Sequence, residues 1–129
     1  QAGLAVALIR VGEAGTLPSG SRLALYRICQ EALTNVIKHA GEGAQAVVAL
    51  AWTSDEVTLT VTDRGGRGPA AGPPGAGEPL AGLGLGLIGM RERAELVGGT
   101  LAAGPTEDGF RVRATIPLAS AVEGVELGV

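Results

Sequence analysis

More than half of the 22 glycines in this 129-residue chain fall between Gly65 and Gly99, against a usual glycine content of about 7%. The excess divides the chain. Arg64–Leu83 carries Pro69, Pro73, Pro74 and Pro79 and almost no large apolar side chains, so its pattern is too broken for a strand or a helix. It is flanked on both sides by strongly patterned segments, so it reads as a functional loop and not as an interdomain linker. The flanks must therefore build one core between them. The chain has three aromatics, Tyr26, Trp52 and Phe110, so that core is packed from Leu, Val, Ile and Ala.

Hydrophobic periodicity gives the elements. Leu4–Val11 reads as a strand, and Gly12–Gly20 as a turn region with Pro18 and Ser19 as helix-start signals. Leu25, Ile28, Cys29, Ala32, Leu33, Val36 and Ala40 recur at helical spacing, and Gly41 and Gly43 end that helix. Ala46–Thr53 and Glu56–Asp63 read as strands joined at Ser54-Asp55; in the second, Val57, Leu59 and Val61 alternate with Thr58, Thr60 and Thr62. Gly84–Val97 reads as a turn opening a second helix, with Leu87, Met90, Ala94 and Val97 on one face, closed by Gly98-Gly99. Thr100–Ala103 and Phe110–Pro117 form a last strand pair around Gly104–Gly109, and Leu118–Val129 is a weakly alternating, frayed tail. Grouped strands with two amphipathic helices predict an α+β two-layer sandwich rather than a doubly wound α/β fold.

Several functions are excluded early. Apolar residues make up 46% of the chain and charged residues 18%, a globular balance. One cysteine, Cys29, and one histidine, His39, leave no disulfide framework and no Cys/His metal cluster. The net charge of −3 argues against nonspecific binding to nucleic acid or anionic lipid. Three aromatics cannot build a base-stacking platform. No apolar run reaches the roughly 18–20 residues of a membrane span, and there is no signal-peptide pattern. The chain opens with Gln1 and its one methionine is Met90, so it reads as a fragment of a longer protein.

Three places could carry chemistry. Arg27, Glu31, Asn35 and Lys38 share one side of the long helix, flanking its apolar face. This stripe is either a solvated face with i,i+4 pairing or a ligand-facing one; Asn35, a poor mid-helix residue with a neutral oxygen, suits a magnesium ligand. Asp63 ends a strand before Arg64-Gly65-Gly66-Arg67-Gly68. It either starts a turn or accepts from an exocyclic amine. Gly82-Leu83-Gly84-Leu85-Gly86-Leu87-Ile88-Gly89 runs directly into a helix, where backbone N–H groups make an anion site; the plainer reading is a hinge. Gly84, Gly86 and Gly89 match the dinucleotide fingerprint G-x-G-x-x-G. That fingerprint must follow a strand at once, and Gly75–Leu83 is no strand; too little chain follows Gly89 for the rest of such a sheet. A Walker A loop is absent, since the only lysine is Lys38.

The order of these segments resembles the sensor histidine kinases. Tyr26–Ala40 looks like their N-box, Val61–Gly65 like their first glycine box and Gly84–Arg93 like their second, and "GLIGMRERAELVGG" is most similar to the subfamily that signals to helix-turn-helix response regulators. The resemblance covers about residues 4–118. It implies the Bergerat ATP-binding fold of the GHKL superfamily, with a mixed, mostly antiparallel sheet covered by helices on one face. The catalytic domain would span 1–118, the ATP lid about 67–83 and a C-terminal tail 119–129. The resemblance implies ATP and Mg²⁺ as cofactors, with Asn35 holding Mg²⁺ against the phosphates and Glu31 orienting or polarising the reacting site. Lys38 and His39 would reach phosphate oxygens. Asp63 would accept from the adenine amine while Gly65 lets the ring approach. Gly84, Gly86, Leu87 and Gly89 would cradle phosphates through their N–H groups.

Two departures stand out. The first glycine box usually reads D-x-G-x-G, whereas here the last glycine is Gly68, one place late; and Leu85 stands where the second box usually carries a polar residue. The resemblance further implies γ-phosphoryl transfer to a histidine on a separate dimerisation domain absent from this chain, so His39 is not the phosphoacceptor. The expected partners are that domain and a cognate response regulator, with no nucleic acid and no direct membrane contact. The expected setting is the cytoplasm, within a parent that could itself be membrane-anchored. An anti-sigma-factor serine kinase shares the fold and the N-box, though the Met90–Arg93 wording argues against it. A degenerate module that binds nucleotide or a partner without catalysis is the other alternative.

Overall fold

The strand Glu56–Arg64 shows why the chain folds around a sheet. Val57, Leu59, Val61 and Asp63 are buried while Thr58, Thr60 and Thr62 are half-buried, the period of a strand with one face packed on a layer and the other facing water. The computed structural model describes residues 4–40, 43–65 and 86–118. Its elements are β1 (Ala5–Val11), α1 (Ser19–His39), β2 (Gln45–Trp52), β3 (Glu56–Arg64), α2 (Leu87–Leu96), β4 (Thr100–Pro105) and β5 (Phe110–Pro117). The expected lid, Gly84, Leu85, the late Gly68 and the tail 119–129 lie outside the described residues.

The five strands form one sheet in the order β1-β2-β3-β5-β4. β1 runs parallel to β2, and the other three pairings are antiparallel. This is the mixed, mostly antiparallel sheet that the family resemblance implies. A parallel pair needs a crossover, and α1 supplies it. Both helices pack on the sheet, α1 against β3 and β5, α2 against β4 and β5, and they touch each other.

The apolar stripe of α1 is the reason it docks there. Ala24, Ile28, Ala32 and Val36 are buried, and Leu25, Cys29 and Leu33 pack partly against the same core. α2 contributes Leu87, Met90 and Ala94. Opposite them stand Val57, Leu59 and Val61 of β3 and Val112, Ala114 and Ile116 of β5. Ile28 has no exposed surface, so truncating it to alanine would cost about 2–5 kcal/mol. β1 differs from the other strands: all seven of its residues are exposed. It is one edge of the sheet, and its apolar Val6, Leu8, Ile9 and Val11 contribute nothing to the buried core.

The strand registers define two poles. Gln45 pairs with Arg64, Thr62 with Arg111, and Pro105 with Phe110. The start of β2, the end of β3 and the β4–β5 turn therefore share one pole. Only residues 40–44 separate the end of α1 from Gln45, so α1 finishes there too. Thr100, which follows α2 closely, pairs with Thr115 at the other pole. A ten-residue helix is about 15 Å long, so α2 starts at the first pole and ends at the second.

Candidate functional site

That first pole gathers the C-terminal half of α1, the Asp63–Gly65 corner and the start of α2, three stretches that are far apart in sequence. Its most direct contact joins two of them. Gly86, the residue before α2, sits at φ 71°, a left-handed backbone that favours glycine. A Cβ placed on it would come within 2.7 Å of Glu31 Oε2 and 3.4 Å of Glu31 Cδ. Glu31 of α1 therefore lies directly on the opening turn of α2; the positive φ favours glycine there, and a larger residue would have to displace the exposed Glu31 side chain.

α2 begins without a side-chain cap. Its first internal hydrogen bond runs from Met90 N–H to the Gly86 carbonyl at 3.0 Å. The N–H groups of Leu87, Ile88 and Gly89 come before the helix can satisfy them, and they carry the positive end of its dipole. Leu87 itself is buried in the core, so its side chain packs. Gly89 is exposed, and a Cβ there would touch nothing among the described residues.

The stripe on α1 keeps its expected side. Glu31, Lys38 and His39 are exposed and Asn35 is half-buried, beside the buried Ala32 and Val36. Lys38 and His39 also occupy the last turn of α1, where cations oppose the helix's negative end. Asp63 is placed differently. It is 8% exposed, on the packed face of β3, and its Oδ1 accepts from Phe110 N–H at 3.2 Å. Gly65 is exposed and its N–H donates to the Asp108 carbonyl at 2.9 Å. The Arg64–Asp108 ion pair, at 4.0 Å with both side chains about two-thirds exposed, adds little.

The turn 106–109 thus braces the Asp63–Gly65 corner, a role that the sequence reading missed. Asp108-Gly109 signals a turn, but nothing local shows that the turn reaches a strand end more than forty residues earlier. Among the described residues no group of three or more His, Cys, Asp or Glu side chains could hold a metal. No described helix is long and apolar enough to cross a membrane.

A family model described as "Histidine kinase-, DNA gyrase B-, and HSP90-like ATPase" matches residues 20–120. The chain is 41% identical over 101 residues to the signal transduction histidine-protein kinase/phosphatase UhpB of Salmonella typhimurium, covering 78% of this chain and 18% of that protein. It is 36% identical over 110 residues to the sensor histidine kinase LnrJ of Bacillus subtilis, covering 84% and 25%. The chain thus spans a quarter or less of the length of these curated relatives. In structure it is similar to the blue-light activated histidine kinase EL346 of Erythrobacter litoralis, with a TM-score of 0.69 and 23% identity over 96% of this chain and 38% of that one, a likeness of fold.

Proposed function

The chain belongs to the histidine kinase-, DNA gyrase B- and HSP90-like ATPases, as an ATP-binding catalytic domain of the histidine kinase kind, and from that premise we propose that it presents the γ-phosphoryl group of Mg-ATP to a histidine on a separate dimerisation domain. The observation that carries this reading is the seating of Glu31 against Gly86 at the uncapped start of α2. A carboxylate and N–H groups without helical partners meet there, at the pole that also holds the buried Asp63.

Phosphoryl transfer asks a protein for positioning and charge neutralisation more than for covalent chemistry. Asp63 accepts from the adenine amine and so fixes the base end, with Gly65 giving the ring room. The N–H groups from Gly86 to Gly89, with Gly84 before them, hold phosphate oxygens at the dipole's positive end. Lys38 and His39 reach the same oxygens from the end of α1. Asn35 offers a neutral oxygen to Mg²⁺, and Glu31 orients the reacting end. The residues present fit that cation: Mg²⁺ keeps most of its water and takes one or two protein ligands beside the phosphates, so a single Asn oxygen suffices. When bound, Mg²⁺ neutralises the charge developing between the β- and γ-phosphates. The phosphorylated domain then serves a response regulator, on the cytoplasmic side where ATP is available.

Titration of the chain with ATP, with and without Mg²⁺, tests the first half of the reading. Binding strengthened by Mg²⁺, without self-phosphorylation, is expected. Adding the parent's histidine-bearing domain tests the second half: acid-labile phosphohistidine on that domain supports the reading. Absence of nucleotide binding would leave a partner-binding module. Phosphoserine on an anti-anti-sigma protein would mark a serine kinase instead.

A further inference from the structure

We infer that the β4–β5 turn, Thr106–Gly109, positions the Asp63 carboxylate and thereby sets recognition of the purine 6-amino group, which makes Gly109 and Thr106 specificity-determining positioning residues. The inference rests on the reading of Asp63 as the base acceptor and extends it to residues outside the three motifs.

Gly109 lies against Asp63 so closely that a Cβ on it would overlap both the Asp63 carbonyl oxygen and its carboxylate Oδ1, with the carbonyl carbon at 2.9 Å. Its φ is not positive, so backbone conformation does not demand glycine here; the carboxylate's position does. The next residue, Phe110, donates its N–H to that same Oδ1 at 3.2 Å, while its ring packs partly against the core. Oδ1 is thus bounded by the bare Cα of Gly109 and drawn in by a charge-assisted hydrogen bond.

The turn is itself held shut. Thr106 N–H donates to the Gly109 carbonyl at 2.8 Å, and Gly109 N–H donates to Thr106 Oγ1 at 2.9 Å. A further link, Gly65 N–H to the Asp108 carbonyl at 2.9 Å, ties the turn to the glycine after Asp63. Asp63 cannot shift without moving this turn. A side chain at 109 must push the carboxylate, the β3 backbone or the turn away from its place, and a buried acceptor that is slightly misplaced loses its partner rather than adjusting.

The test compares ATP with purine riboside triphosphate, which lacks the 6-amino group, by calorimetry on the 129-residue chain. Wild type should bind ATP more tightly. Gly109→Ala should lower the ratio of the two affinities by about tenfold while purine riboside triphosphate still binds within about twofold of wild type. Thr106→Ala adds no atoms and only loosens the turn, so it should lower the ratio by about threefold. Equal losses for both nucleotides, or an unchanged ratio in a folded Gly109→Ala, would make the turn a merely structural brace and overturn the inference. If Gly109→Ala gives no cooperative melt, Thr106→Ala decides by the same ratio. A wild-type ratio of one identifies a different failure: Asp63 is then not the base acceptor, and the inference falls with that reading.

Discussion

The two poles of the sheet are built from the same materials, glycine turns, helix ends and strand ends, yet they dispose of their polar groups differently. At the far pole the β2–β3 turn and the end of α2 close on themselves. Thr53 Oγ1 accepts from the N–H groups of Asp55 and Glu56 at 3.2 and 3.1 Å, and Leu118 N–H donates to the Asp55 carbonyl at 2.9 Å. α2 ends there with Gly98 at φ 82°; Gly98 N–H reaches the Glu95 carbonyl at 3.0 Å and Gly99 N–H the Ala94 carbonyl at 2.8 Å, the paired bonds of a Schellman closure. At the site pole the same helix opens with no capping side chain. An uncapped start alone separates nothing, since α1 opens without one at the far pole. The difference lies in the surroundings: the start of α2 faces a carboxylate from α1 and shares its pole with a buried Asp. The far pole closes the β2–β3 turn and the end of α2 with internal hydrogen bonds, while the start of α2 at the other pole leaves its first N–H groups without helical partners, as the proposed phosphate site requires.

The strongest attempt to break this contrast is Asp63→Asn. An amide whose oxygen stays on Phe110 N–H turns its NH₂ toward the adenine amine, donor against donor. ATP affinity should fall about 30- to 100-fold, with a folded, cooperative melt. Calorimetry with ATP and GTP on both proteins checks it, because guanine offers an acceptor at that position and should already bind poorly to wild type. Equal wild-type affinities would remove the distinction between the poles.

Gly99→Ala makes the reciprocal test. A Cβ there would overlap the Thr115 carbonyl oxygen and stand 2.8 Å from Ile116 Cδ1. Overpacking of this kind should cost about 2 kcal/mol, a fall in melting temperature of about 8 °C. The nucleotide affinity of the folded protein should stay within about twofold of wild type. A large affinity loss at unchanged stability would show that the far pole also serves the ligand.

The elements were legible because each owes its form to local pattern. The threonine–aliphatic alternation of β3 and the heptad-like recurrence in α1 are each dictated by burial on one face, so their bounds fall within a residue or two of the expected ones. The second helix begins at Leu87 rather than in the glycines before it. The opening strand was legible as a strand, but its full exposure was not. The candidate site was read from its motif residues, whose types are chemical choices, and the described ones among them gather at one pole. The brace at Gly109 was not, because it depends on β5 lying beside β3, a long-range pairing that no local spacing encodes.

Asn35→Ala sharpens the contrast within α1. Asn35 is half-buried on the flank, beside rather than within the apolar stripe, so little packing is lost. The strengthening of ATP binding by Mg²⁺ should fall about tenfold, while binding without Mg²⁺ and the melting temperature change little. Titrations with and without Mg²⁺ separate the two. A collapse of ligand-free stability would instead place Asn35 among the packing residues.

The smallest effect concerns Cys29, which lies midway along α1 between the poles and measures how closed the helix layer is. Burial raises its thiol pKa above the ordinary value, because the thiolate is poorly solvated where the helix meets the core. The fold therefore favours the neutral thiol. Its contribution to stability is whole below the ordinary thiol range of about 8.5 and is lost as pH rises through the raised folded value. Since the thiolate is the nucleophile, iodoacetamide at pH 8 should alkylate the folded chain at least about tenfold more slowly than the urea-unfolded chain. The folded rate should keep rising with pH after the unfolded rate has levelled. Equal rates at pH 8 would mean that α1 does not sit closed on the sheet, and that the packed layer between the two poles is looser than its burial implies.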